Sequence, residues 1–166
     1  MPWVAQVRGE VEEARSYGQE ALGLYREVGD VRGQADALLD LGRVTRERGE
    51  VEEARSYGQE ALGLYREMGD VRGQADALLD LGWVARERGE VEQARSYAQE
   101  ALGLFRDVGV PKGQAEALRE LGSVARQTGD LVLAASYLQE ALRLFQAIGA
   151  KLEVAKTEEM IGQVRV

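Results

Sequence analysis

Residues 9–48 read GEVEEARSYGQEALGLYREVGDVRGQADALLDLGRVTRER, and residues 49–88 repeat this stretch with three changes. The changed pairs are Val28/Met68, Arg43/Trp83 and Thr45/Ala85. A third copy at residues 89–128 matches the second at 26 of 40 positions, and a looser fourth copy starts at Gly129. A period between 20 and 50 residues indicates a repeat architecture in which each unit buries its apolar flank against its neighbours.

Each 40-residue unit contains two segments with apolar or small residues at helical spacing, such as Ala35, Leu38 and Leu41 in residues 31–48. The segments meet at Gly-acid pairs: Gly29-Asp30, Gly49-Glu50, Gly69-Asp70, Gly89-Glu90 and Gly129-Asp130. Gly supplies the left-handed residue that ends one helix, and Asp, or less well Glu, caps the next. At Gly109-Val110-Pro111, Pro takes over as a first-turn residue. Connections this short predict antiparallel neighbouring helices, and strand-type alternation is absent.

The repeat predicts one domain over residues 1–166. Its parts are a partial first helix at 1–8, repeats at 9–48, 49–88, 89–128 and 129–149, and a C-terminal capping helix at 150–166. Trp3-Val4-Ala5 aligns with Trp83-Val84-Ala85, so we expect the chain to begin inside a first helix, as a piece of a longer or truncated array. Glu158 stands where Leu38 stands in the first copy, which suits a solvated cap. We therefore expect the N-terminal end to be the less covered one and to pair with another chain, as in a homo-oligomer.

The composition removes several classes of function. The chain has no Cys and no His, so it lacks disulfides, thiolate ligands and the side chain most used in acid–base catalysis. Its net charge of −8 disfavours nucleic acid and anionic membranes as partners. No run of 18 apolar residues and no signal peptide is found, and we expect a cytoplasmic protein.

Catalytic, metal and cofactor sites are not predicted. Adjacent carboxylates such as Glu12 and Glu13 point in different directions on a helix, and Ser16 and its repeats have no His to activate them. No glycine-rich segment ends in Gly-Lys-Ser/Thr, and no calcium-binding loop is present. We therefore expect a protein that is not an enzyme.

The spacing of small and apolar residues resembles the tetratricopeptide repeat consensus A-x-x-L-x-x-L-G, a turn, and two further alanines. The matching residues are Ala35, Leu38, Leu41, Gly42, Gly49, Ala54 and Ala61, then Ala75, Leu78, Leu81, Gly82, Gly89, Ala94 and Ala101, then Ala115, Leu118, Leu121, Gly122, Gly129, Ala134 and Ala141. The period is 40 rather than the usual 34 or so, similar to the long repeats of bacterial regulators and signalling ATPases. The resemblance implies an all-α, right-handed alpha-solenoid of stacked antiparallel helix pairs, a superhelix that binds a protein or peptide.

In this family, partners lie along the concave layer of first helices. Carried over by position, the candidate binding residues are Leu39, Arg43, Arg46, Leu79, Trp83, Arg86, Arg119 and Arg126. Arg side chains suit carboxylates, and Trp and Leu give apolar anchoring, so an extended segment with acidic and apolar side chains is the expected ligand. The alternative is a solvated charge mosaic in which the Arg residues pair with Asp36, Glu47, Asp76 and Glu87.

Two further interpretations stay open. The near-identity of the first two copies favours an architectural or self-assembling repeat, designed or recently duplicated, with no evolved ligand, whereas the drift of the third and fourth copies disfavours a clean consensus design. Glycines inside second helices, such as Gly18, Gly23, Gly63 and Gly103, either allow close helix approach or reflect incomplete optimisation. The Tyr and Phe residues of the second helices are predicted to lie in the core.

Overall fold

The computed structural model describes the backbone of residues 2–164 and the side chains of residues 9–164. The described residues form α1 (Pro2–Val28), α2 (Val31–Glu47), α3 (Val51–Met68), α4 (Val71–Glu87), α5 (Val91–Asp107), α6 (Pro111–Gln127), α7 (Leu131–Ala147) and α8 (Lys151–Val164). Within this part of the chain no strand occurs and no helix is both long and apolar enough to cross a bilayer. The all-helical prediction is confirmed. We call α2, α4, α6 and α8 first helices and α1, α3, α5 and α7 second helices.

Every turn between helices contains a glycine in the left-handed region. These residues are Gly29, Gly49, Gly69, Gly89, Gly109, Gly129 and Gly149, with φ between 67° and 82°. At the first turn the Asp30 amide donates to the Tyr25 carbonyl at 2.9 Å, which closes the end of α1. Because only glycine adopts this conformation without strain, it ends each helix at a fixed residue. The predicted helix ends are confirmed at these turns.

The acidic residue after each glycine acts in one of two ways. Asp30 and Asp70 accept hydrogen bonds from the amides of Gly33 and Gly73, each at 2.9 Å, as N-caps. Glu50 makes no such cap, and its carboxylate instead accepts from Arg48 Nε at 2.8 Å. The extra methylene carries the Glu carboxylate away from the amides of the first turn. The prediction that Glu caps less well than Asp is therefore confirmed.

The chain divides into two compact units, Met1–Gly73 and Gln74–Val166. In the first unit, α2 packs on both α1 and α3. A Cβ placed on Gly42 would lie 3.4 Å from the Ala54 carbonyl oxygen and 3.5 Å from Tyr57 Cβ, which shows how closely α2 and α3 approach. The core of this unit includes Leu38 and Tyr65, both buried.

The second unit repeats this packing. α6 packs on α5 and α7, and α7 packs on α8. Gly82 of α4 approaches the Ala94 carbonyl oxygen of α5, 3.5 Å from its would-be Cβ, as Gly42 approaches Ala54. Near the C-terminal end, Leu138, Ile161 and Val164 form part of one buried cluster.

The first helix differs from its prediction. Residues 1–8 were expected to form a partial first helix, but the backbone runs as one helix from Pro2 through Gly9 to Val28. So short a segment cannot stabilise a separate helix, whereas continuing α1 adds one hydrogen bond for each residue. The side chains of residues 2–8, including the aligned Trp3, lie outside the described residues, as do Met1 and residues 165–166 of the predicted cap.

The aromatic residues of the second helices are in the core with two exceptions. Tyr65, Phe105 and Phe145 are buried as predicted. Tyr17 and Tyr25 are exposed because no described helix covers that side of α1, so the core prediction is wrong for them.

Candidate binding face of the first helices

Residues at one position of successive first helices are accessible to solvent: Arg43, Trp83, Ser123 and Gln163. We call these residues, with the flanking charged side chains of their helices, the first-helix face. In the first unit, Arg43 is exposed and its guanidinium lies 3.7 Å from Asp40. Arg46, one turn further on, is half-buried. Asp36 accepts a hydrogen bond from the Tyr65 hydroxyl at 2.6 Å, which ties the start of this face to α3.

Two predicted site residues are not part of this face. Leu39 is 7% exposed and Leu79 is 2% exposed, so both belong to the core and present no apolar surface to a ligand. The apolar side of a first helix is wider than one stripe because a first helix such as α2 or α6 packs between two second helices. The assignment of Leu39 and Leu79 to the binding surface is corrected.

In the second unit, Arg86 is paired within the protein. Its Nε lies 2.6 Å from Oε1 of Glu120 on α6, and Glu120 is only 3% exposed. A buried carboxylate requires a charged or hydrogen-bonding partner, because leaving it unpaired in the interior is costly. Arg86 therefore neutralises Glu120 and connects α4 to α6.

Arg119 is held from two sides. Its guanidinium forms an ion pair with Glu153 of α8 and lies 5.1 Å from the centre of the Phe145 ring. Lys156 contacts the same carboxylate at 3.3 Å. Burial alone would raise the pKa of Glu153, but the hydrogen bonds and positive charges of Arg119 and Lys156 outweigh it and lower this pKa.

A neighbouring carboxylate is shifted the other way. Burial raises the pKa of Glu116 on α6, and the charges of Lys112 and Arg119 offset this only in part. Lys112 Nζ lies 3.8 Å from the Glu116 carboxylate. Glu116 is therefore a carboxylate whose ionised form is unfavourable in the folded protein.

Arg126 and its surroundings stay accessible. Arg126 is exposed, and its Nη1 donates to the Gln163 side-chain oxygen at 2.6 Å. Ser123 is half-buried, with its hydroxyl donating to the Arg119 carbonyl at 3.2 Å. Trp83 on α4 is also half-buried, so part of its indole surface faces solvent.

The predicted arginine series is therefore corrected in part. Arg86 and Arg119 are neutralised by carboxylates of the same chain, which agrees with the charge-mosaic alternative, although Glu120 and Glu153 are not the partners it named. Sequence reasoning missed Glu120 as a buried residue. The available signal was a separation of 34 residues between Arg and Glu, shared by the pairs Arg26/Glu60, Arg86/Glu120, Arg106/Glu140 and Arg119/Glu153.

The accessible groups of the face suit binding. Trp83 offers an apolar surface, and Arg43 and Arg126 offer guanidinium groups near solvent. Aromatic and Arg side chains are the commonest energetic anchors of protein interfaces. In the part of the chain that the structure describes, no three acidic side chains are grouped to hold a metal ion.

Comparison with solved structures shows the fold. The apo form of RapI matches with a TM-score of 0.79 at 18% identity, and BtubC (BKLC) from P. vanneervenii with 0.78 at 19%. The alignments cover 95% and 93% of this chain, but the chain spans only 44% of RapI and 65% of BtubC. A putative kinesin light chain from Podosopora anserina with nearly identical TPR-like repeats matches with 0.68 at 14% identity, over 96% of this chain and 89% of that one. The predicted class, stacked antiparallel helix pairs of an alpha-solenoid, is confirmed.

Sequence comparison identifies the family. No curated protein sequence matches the chain. Two family models, both described as "Tetratricopeptide repeat", match: one at residues 4–67, the other at residues 66–109 and 79–147. The chain belongs to the tetratricopeptide repeat family.

Proposed function

We propose that this chain is a cytoplasmic, non-catalytic scaffold module that holds a protein or peptide along its first-helix face. The observation that carries the proposal is where the near-identical copies differ. The accessible position reads Arg43, Trp83, Ser123 and Gln163 in successive first helices. The buried position two residues earlier keeps Leu41, Leu81 and Leu121. Variation at a solvent-accessible position beside an unvaried core position is what a surface adapted to a ligand would show.

The ligand we propose is an extended segment with an apolar side chain for Trp83 and acidic or polar groups nearby. The acidic preference rests on Arg43 and Arg126, because Arg86 and Arg119 are already paired. A net charge of −8 also makes nucleic acid and anionic membranes unfavourable partners.

The test is an affinity capture from lysate of the source organism with the wild type and Trp83→Ala. We expect one or more captured proteins to be lost or reduced at least tenfold with the variant. Val132→Ser is the matched control, because Val132 is an exposed apolar residue on α7, outside the first-helix face. Identical captured proteins with the wild type and Trp83→Ala would contradict the use of this face.

A second candidate is an architectural or self-assembling repeat with no evolved ligand. The observation that favours it is the near-identity of residues 9–48 and 49–88, which differ at three positions. It predicts that no partner is captured by any variant and that the chain associates only with itself. The expected homo-oligomer through the N-terminal end stays a prediction, which light scattering across a wide concentration range tests.

A further inference from the structure

The side of α1 that faces away from α2 carries exposed apolar residues. Tyr17 is 62% exposed, Leu24 56% and Tyr25 37%. Residues 9–28 are identical to residues 49–68 of α3 except at Val28/Met68. Yet Tyr65, the counterpart of Tyr25, is 2% exposed. The same surface is therefore covered on α3 and open on α1.

What covers this surface on α3 is a first helix. Gly42 of α2 sits against the Ala54 carbonyl and Tyr57, so the two backbones approach closely. Asp36 of α2 accepts the hydrogen bond from the Tyr65 hydroxyl. Gly82 of α4 makes the same approach to Ala94 of α5. The shape that fits this surface is thus a helix with the stripe A-x-x-L-x-x-L-G, in which Gly permits the close contact.

We propose that the open side of α1 is a docking surface for an amphipathic helix of a partner protein. That helix carries small and apolar residues in the first-helix pattern and packs on α1 as α2 packs on α3. Ala14 and Tyr17 receive its glycine, as Ala54 and Tyr57 receive Gly42. This surface is separate from the first-helix face, so its use does not depend on the function proposed above.

A second copy of this chain is a poor occupant because of its last helix. α8 is a first helix with an open flank: a Cβ on Gly162 would have no neighbour within 4 Å, where Gly42 and Gly82 have one. However, Glu158 replaces a leucine that is fully buried at the equivalent positions Leu38 and Leu78. Docking α8 on α1 would bury that carboxylate among apolar groups. The charge disfavours end-to-end association and favours a helix that has Leu at this position.

The probe for this surface is a peptide of residues 31–48, which is the sequence that covers α3. We expect it to bind the full chain saturably at one to one, measured by titration calorimetry. Tyr17→Ala/Leu24→Ser should weaken binding at least tenfold, and circular dichroism should show an unchanged fold because both side chains are more than half exposed. A peptide carrying Leu38→Glu should not bind. The control protein Val132→Ser should bind as the wild type does.

Three outcomes would overturn the proposal. The first is no binding of the peptide at concentrations up to about 1 mM. The second is binding that Tyr17→Ala/Leu24→Ser leaves unchanged, since the peptide would then sit elsewhere. The third is self-association through α1 that the peptide does not compete with, which would make a second copy the occupant. Trp83→Ala should leave peptide binding intact, so failure here is distinguishable from failure of the proposed function.

Discussion

Replacing Gly63 with Ala should stabilise the protein, whereas the same replacement at Gly73 should destabilise it. Gly63 lies inside α3, and a Cβ added there would meet nothing within 4 Å. The fourth copy carries Arg143 at this position, so the helix surface already accepts a side chain there. At Gly73 an added Cβ would lie 2.2 Å from Cδ1 of Tyr65. That ring is buried and its hydroxyl is bonded to Asp36, so it cannot move aside.

The size of both effects follows from the structure. Glycine inside a helix costs about 1 kcal/mol relative to Ala, and no contact is lost at Gly63. Gly23 and Gly103 are equally open and lie on other helices, so the triple Ala variant should gain roughly 3 kcal/mol. For a chain of this size each kcal/mol shifts Tm by about 2–4 °C. Overpacking at Gly73 should cost about 1–3 kcal/mol.

Thermal unfolding followed by far-UV circular dichroism measures both changes. Gly69→Ala is a useful reference, because Gly69 has φ of 68° and its loss should destabilise by about 1–2 kcal/mol through backbone strain alone. A Tm for Gly63→Ala at or below that of the wild type would refute the view that this glycine has no packing role. So would a Gly73→Ala variant as stable as the wild type.

Three further predictions concern charged groups. Asp70→Ala should cost about 1 kcal/mol at pH 7; the amide of Gly73, more than any other group, lowers the pKa of Asp70, so this stabilisation should disappear as pH falls below about 4, and urea unfolding at pH 7 and pH 3 should show the difference shrinking. Glu116→Gln should raise stability at neutral pH, because burial raises the pKa of Glu116; the gain should vanish below about pH 4, where the carboxyl is protonated in both states, and a gain that persisted in acid would contradict this cause. Glu120→Ala should destabilise by about 2 kcal/mol, and a double-mutant cycle with Arg86→Ala should show coupling; strictly additive effects would contradict the ion pair.

The helix ends were predictable from the sequence because each is decided locally. A glycine at positive φ and an aspartate three residues before a free amide need no information from distant residues, as at Gly29 and Asp30. The stacking of the pairs was predictable because the apolar stripe repeats every 40 residues. Even so, the Gly9-Glu10 signal failed, since a break there would have left too short a helix before it.

The side-chain roles on the first helices were less predictable because they depend on which neighbours are brought together. Leu39 has the spacing of a surface residue, but a second helix on each side of α2 leaves less surface than one amphipathic stripe suggests. Glu120 looks like an ordinary solvated acid in the sequence. Only the position of Arg86, 34 residues earlier, makes its burial acceptable.

The most direct test of the account is photo-crosslinking from the first-helix face. Benzoylphenylalanine would replace Trp83 on α4 in one variant and the exposed Arg143 on α7 in another, both in the same compact unit. In lysate of the source organism, we predict a specific crosslinked protein from position 83 and none from position 143. Crosslinks from position 143 with none from position 83 would contradict binding at the first-helix face.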